Sequence, residues 1–197
     1  MSLCPETLTK IEPAQVLPVT VAEVHRHLHL DGATEHEDDL TDILRDAIDY
    51  VEAETDLALC VAKWRWTLDY FPCATLRLPI RPVLDASIRY RDTAGSWQTV
   101  NPTTYRVDGL AAPPMLRLNP LGTWPSTYPD SWATVEVTLT AGHNGLDQVP
   151  SQAKRAILLL AGHWFANREA AGDKKVDEVT AFAVTSLLGQ IAGREVV

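Results

Sequence analysis

The apolar residues change their spacing near residue 63, and this change limits the possible folds more than any other feature. Between residues 37 and 57 they recur with the three-to-four-residue spacing of an amphipathic helix, as at Leu40 and Leu44. From Trp64 to Tyr70 they alternate with polar residues, as in a strand that buries one face. The chain therefore has to contain helices and strands in separate blocks, which is typical of the α+β class.

Three helices are predicted from this spacing and from signals at their ends. Thr20 and Glu23 have the spacing of a capping box, in which each side chain bonds a free backbone N–H at the start of a helix. Gly32, which tolerates a left-handed conformation, is predicted to follow the end of that helix. The predicted helices cover residues 21–30, 37–57 and 151–168.

Short strands are predicted between the second and third helices, within a β-region at residues 63–140. Residues 92–96, which include Gly95, have the composition of a hairpin turn, and residues 119–133 read as a long loop. The regular spacing of the strands predicts a small antiparallel sheet or barrel. After the alternating stretch that starts at Lys63, the strand candidates are residues 75–78, 85–91, 97–100, 105–108, 115–118 and 134–140.

The predicted fold is a helical α+β subunit with two N-terminal helices, one long late helix, an inserted antiparallel β-region and extended termini. Its parts are an extended arm at 1–18, a main domain at 19–171 and a tail at 172–197. The tail has a weak amphipathic stretch at 180–191, short for a helix standing alone in water, so we expect it to order on a partner or on its own domain. No run approaches the ~20 apolar residues of a membrane span, so no membrane partner is expected.

Charge is divided unevenly along the chain, whose net charge is −9. Residues 1–60 hold 14 acidic and three basic residues, whereas the remainder holds 14 basic and 12 acidic residues. This balance argues against a protein that grips nucleic acid over its whole surface. The acidic segment is either a solvated helix face, or a face that meets a basic neighbour or lines a channel through which DNA must pass freely.

No catalytic constellation is found in the sequence. Nucleophile-elbow, phosphate-loop and dinucleotide motifs are absent, and no cofactor is predicted. His25 and His29 have a helical spacing that can bind a metal, which leaves a metal-dependent enzyme as one alternative. No third ligand accompanies them in a known motif, so no metal site is predicted.

Several phrases in a fixed order carry a family resemblance. VTVAEVHRHLHLDG is followed by the acidic helix EDDLTDILRDAIDYVEAETDLAL, then by WRWTLDYFP, LPIRPVLDASIRYRD and YRVDG, and last by VEVTLTAGHNGLDQVPSQAKRAILLLAGHWFANREA. Together they cover about residues 17–170. This order resembles the head-to-tail connector (adaptor) proteins of tailed bacteriophages and of gene transfer agents.

The resemblance implies a structural virion protein rather than an enzyme. It implies a homo-oligomeric ring of twelve copies beneath the portal protein, made in the bacterial cytoplasm and kept at the head–tail interface of a virion or phage-like particle. Such a ring continues the DNA channel, without sequence-specific binding, and offers a docking surface to a stopper or tail-terminator protein. The alternative within the same class is a tail-completion or stopper protein on the tail side of the joint.

The resemblance and the charge pattern together select two groups of candidate residues. In this family the C-terminal segment reaches onto the portal, which gives as portal-contact candidates Phe182, Val184, Leu187, Leu188 and Ile191. The candidates for the channel lining or a subunit interface are Glu37, Asp38, Asp39, Asp42, Arg77, Arg81, Arg89 and Arg91.

Overall fold

The computed structural model describes residues 7–30, 37–71, 75–129, 132–167 and 178–192. Within these ranges the chain divides into two compact units. A β unit comes from the described residues of 1–15 and 61–143, and a helical unit from those of 16–60 and 144–197. The described elements are helices and antiparallel strands in separate blocks, so the predicted α+β class is confirmed.

The helical unit has four helices within the described ranges: α1 (Val21–Leu28), α2 (Glu37–Thr55), α3 (Ser151–Ala166) and α4 (Glu178–Ile191). Helices α1 and α2 both lie against α3, and α4 lies against α3 and α2. Of the helices in this part of the chain, none combines the length and apolarity needed to cross a membrane.

The capping box predicted at the start of α1 is present. The Glu23 backbone N–H donates to the Thr20 hydroxyl at 3.2 Å, and the Thr20 backbone N–H donates to Glu23 Oε2 at 2.7 Å. The helix ends earlier than predicted, at Leu28, because His29 adopts the left-handed conformation with φ 56° and closes the last turn.

The helical core comes from the periodic apolar faces seen in the sequence. In α2 the residues at helical spacing from Leu40 to Val51 are buried, and α3 contributes a matching stripe from Ala153 to Ala161. Glu52 is also buried, and its Oε1 accepts a hydrogen bond from the Leu59 backbone N–H at 2.8 Å. This hydrogen bond fixes the segment that follows α2. Without it, the buried N–H of Leu59 would have no acceptor.

The described residues of the β unit form two antiparallel sheets. The strands are β1 (Thr7–Glu12), β2 (Ala62–Leu68), β3 (Thr75–Arg77), β4 (Val83–Arg91), β5 (Trp97–Thr99), β6 (Tyr105–Asp108), β7 (Met115–Leu118) and β8 (Val135–Ala141). A five-stranded sheet has the order β1-β2-β8-β4-β5, and a three-stranded sheet has the order β3-β7-β6. The predicted turn between β4 and β5 is present, with Gly95 at φ 82°.

Alternate residues of the long strands form the core of the β unit. In β8 the odd-numbered residues from Val135 to Ala141 are buried, and Trp64 and Trp66 of β2 face the same side. The Tyr105 hydroxyl of β6 donates to the Ala86 carbonyl of β4 at 3.0 Å, which ties the three-stranded sheet to the five-stranded sheet.

The arrangement at the two ends of the chain differs from the predicted one. Residues 7–12, predicted as an extended arm, form β1 and pair with β2 as an edge strand. Two N-terminal helices and one long late helix were predicted, but α4 is a further helix packed on α3. The sequence did not predict α4 as a helix, because a short amphipathic stretch is only weakly stable as an isolated helix. In the structure, packing on α3 stabilises the helix.

Candidate functional site

Histidines do not assemble a metal site within the described ranges. His25 and His29 lie at the end of α1, where His25 Nδ1 is 3.4 Å from the Leu30 carbonyl oxygen and His29 adopts the helix-ending conformation. Across the described ranges, no group of three His, Cys, Asp or Glu side chains is close enough to hold a metal ion.

Burial shifts the pKa values of Cys60 and His27 toward their neutral forms. Burial raises the pKa of the Cys60 thiol, and the nearby charge of Glu52 raises it further. Burial lowers the pKa of His27, and the charges of Arg155 and His29 lower it further. A thiol with a raised pKa carries little thiolate at neutral pH, so Cys60 is a poor nucleophile.

The acidic candidates lie on the exposed side of α2. Glu37, Asp38, Asp39 and Asp42 are all exposed in its first turns. Asp46 continues the face that Asp38 and Asp42 begin, because residues four apart lie on the same side of a helix. We call Asp38, Asp42 and Asp46 the acidic stripe; it lies opposite the buried face of α2.

One basic side chain lies within the acidic stripe. Arg45 Nη1 is 3.3 Å from Asp42 Oδ1, and both side chains are more than 60% exposed. An exposed pair of this kind contributes only ~0–1 kcal/mol, so it can be exchanged for a stronger partner. The stripe therefore remains an accessible negative surface.

Two of the predicted arginines belong to a network on the five-stranded sheet. Arg89 Nη2 is 2.7 Å from Glu136 Oε2, and Arg65 Nε reaches the same oxygen at 3.8 Å. The guanidinium groups of Arg89 and Arg91 lie 4.8 and 5.1 Å from the centre of the Trp97 ring. These contacts are within the range of cation–π attraction and hold both side chains against the sheet.

The two other predicted arginines lie elsewhere in the β unit. Arg77 is exposed on β3, and Arg81 is half-buried just before β4. Burial lowers the pKa of His143, and the positive charge of Arg81 lowers it further. The structure thus brings Arg89 and Arg91 together at Trp97, and places Arg77 on β3 and Arg81 just before β4.

Two arginines that were not among the sequence-based candidates lie side by side on neighbouring strands of the three-stranded sheet. Arg106 of β6 and Arg117 of β7 are register partners, and both are exposed. Their separation of 11 residues hides the pairing in the sequence; only the hairpin register between β6 and β7 brings them together.

The portal-contact candidates on α4 divide into two faces. Val184 and Leu188 are 3% and 5% exposed and belong to the core of the helical unit, while Leu187 and Ile191 are half-buried. Phe182 is 77% exposed, and Val179, three residues earlier on the same helix, is 74% exposed. In this structure the accessible apolar surface of α4 is therefore at its N-terminal half.

Solved structures of similar fold come from gene transfer agent particles. A chain in the neck of an empty gene transfer agent particle, computed with C6 symmetry, has a TM-score of 0.79 and 25% identity over 97% of both chains. A chain in the virion of a native gene transfer agent particle has a TM-score of 0.74 and 25% identity over 97% of both chains. A chain in the neck of a native particle, computed with C12 symmetry, has a TM-score of 0.74 and 26% identity over the same 97% of both chains.

The similarity extends over almost the whole of this chain and of each matched chain, so both units of the fold are included. No protein-family model matches the chain, and no curated protein matches it significantly.

Proposed function

We propose that this chain is a structural subunit of the neck of a phage-like particle. In this role it is an adaptor that forms a ring beneath the portal protein. The ring continues the DNA channel and gives the stopper or tail its docking surface. The observation that carries the proposal is the likeness of fold, over 97% of each chain, to a protein of gene transfer agent necks.

The surfaces described above support a role in assembly. The acidic stripe of α2 and the exposed arginines of the β unit are two different surfaces of opposite charge on one chain, which suits a head-to-tail contact between copies. Neck particles computed with C6 and C12 symmetry contain the similar chains, and rotational symmetry of this kind accompanies closed rings. We propose twelve copies, and we propose the exposed N-terminal half of α4, with Phe182, as the surface that contacts the portal.

The test is to mix the purified chain with its cognate portal and to measure mass by light scattering and mass photometry. Twelve copies of 21.7 kDa would add about 260 kDa to the portal. If the mass of the assembled portal does not increase when the chain is added, the adaptor role is contradicted. Attachment to isolated tails in place of the portal would instead favour a tail-completion or stopper protein.

A further inference from the structure

The exposed face of the smaller sheet carries an uncompensated pair of positive charges. Arg106 and Arg117 are directly opposite in the register of β6 and β7, where like charges destabilise a sheet. Within the described ranges, neither side chain has an ion pair or a side-chain hydrogen bond. Asp108 lies in the adjoining row of the same face, so on β6 and β7 the arginines of this face outnumber its carboxylates by two to one. An anionic partner would relieve this repulsion.

Exposed leucines flank the same two strands. Leu110, in the connection between β6 and β7, is 84% exposed, and Leu121, just after β7, is 98% exposed. We call β6, β7 and these two leucines the arginine hairpin. Arginine is enriched at protein interfaces, and a protein partner would also remove the exposed leucine side chains from water. A nucleic-acid backbone would use the arginines but would leave the leucines in water.

The acidic stripe of α2 matches the arginine hairpin in charge and in spacing. Directly opposed residues in an antiparallel sheet have Cβ atoms about 5 Å apart. Residues four apart on a helix, such as Asp42 and Asp46, are separated by about 5–6 Å. Tyr50, one turn further along α2, is 42% exposed and adds apolar surface at the end of the stripe.

We propose that the arginine hairpin of one copy binds the acidic stripe of a second copy of this chain. Arg106 and Arg117 donate hydrogen bonds to the carboxylates of Asp42 and Asp46, with the flanking leucines and Tyr50 contributing apolar contact. The two surfaces differ, so each copy keeps one of each free and the contact can continue from copy to copy until a ring closes. This inference rests on the proposed ring and names the contact that holds it.

Charge reversal on either surface tests the contact. A chain with Arg106→Glu and Arg117→Glu, and another with Asp42→Arg and Asp46→Arg, should each need at least about tenfold more protein for half-maximal ring loading on the portal. The chain that carries all four substitutions should recover loading, because its reversed surfaces are again complementary. A control with Arg26→Glu and Arg155→Glu makes the same charge change at two other exposed positions and should load normally. Thermal unfolding of every variant confirms that it folds.

The outcomes separate this inference from the proposed function. Normal loading by both two-residue variants overturns the contact and leaves the ring intact. If the unmodified chain does not load on the portal, the same variants are compared by sedimentation of the concentrated chain alone. Self-association that is lost in each two-residue variant and restored in the four-residue variant supports the contact even then, and its absence overturns it. Loss of binding to a short fluorescent DNA duplex by the arginine variant, with ring assembly unchanged, would assign the hairpin to DNA and would also overturn it.

Discussion

At the scale of single residues, the close approach of two backbone segments requires a glycine at position 109. The Val83 backbone N–H donates to the Gly109 carbonyl at 3.0 Å where β6 ends beside the start of β4. A Cβ atom at position 109 would overlap the carbonyl oxygen of Val83. The glycine in the sequence phrase YRVDG is therefore required by close packing of two backbones.

Gly109→Ala should lower the free energy of unfolding by at least about 2 kcal/mol, because the backbone has to move to admit the methyl group. Urea unfolding measures the change. Gly189→Ala is the matched control, since a Cβ there has no neighbour within 4 Å and lies in α4, where alanine favours the helix by up to ~1 kcal/mol. Equal stability of the two variants would contradict the close approach at Gly109.

The capping box at Thr20 gives a prediction that includes pH. Hydrogen bonds from the Thr20 backbone and hydroxyl lower the pKa of Glu23 below its usual 4.5. A carboxyl whose pKa is lower in the folded state stabilises the fold above its unfolded pKa, and this contribution is lost as pH falls through the folded pKa. Thr20→Ala should cost ~1 kcal/mol at neutral pH and weaken the loss of stability below pH ~4.5.

Urea unfolding from pH 3 to pH 7 checks this prediction about α1. Thr41→Ala removes a threonine from inside α2, where the hydroxyl only bonds the Glu37 carbonyl of its own helix, and it should leave the pH profile unchanged. A Thr20→Ala profile parallel to that of the unmodified chain would show that the Thr20 hydroxyl does not shift the Glu23 titration.

At the scale of elements, the two faces of α4 differ, because one belongs to the core and the other is exposed. One face packs on α3 through Val184 and Leu188, while Phe182 on the other face is exposed. The sequence predicts that this stretch orders on a partner or on its own domain, and it does not say which of its apolar residues would do which. The tertiary contact with α3 is what assigns half of them to the core.

Leu188→Ala and Phe182→Ala should therefore affect different properties, the first the stability of the chain and the second its binding to the portal. Leu188→Ala removes buried side-chain volume and should cost about 2–5 kcal/mol of unfolding free energy. Phe182→Ala should change stability by less than about 0.5 kcal/mol and weaken binding to the portal. Denaturation and portal-loading assays on the same two proteins give the comparison, and unchanged loading by Phe182→Ala would remove this face from the proposed portal contact.

At the scale of the whole molecule, charge is distributed by unit. Eight of the 14 acidic residues among the first 60 lie in α2, and seven of the 12 arginines lie in the β unit. A chain with this division can use unlike surfaces of successive copies, and the opposite charges favour one docking register over others. The likeness in fold to a chain of a gene transfer agent neck covers 97% of this chain, so it includes the unit that carries the acidic stripe and the unit that carries most of the arginines.

Much of the architecture could be predicted from local patterns. The helical spacing located α2 and α3, the alternation located β2, and turn residues located the hairpin between β4 and β5, because each signal depends on neighbours in sequence. The acidic stripe could be predicted for the same reason: all its members lie on one helix. The packing of α4 on α3, the pairing of β1 with β2, and the opposition of Arg106 and Arg117 join segments distant in sequence or depend on strand register. Only the tertiary structure could decide them, because burial and register are settled by contacts that no local pattern contains.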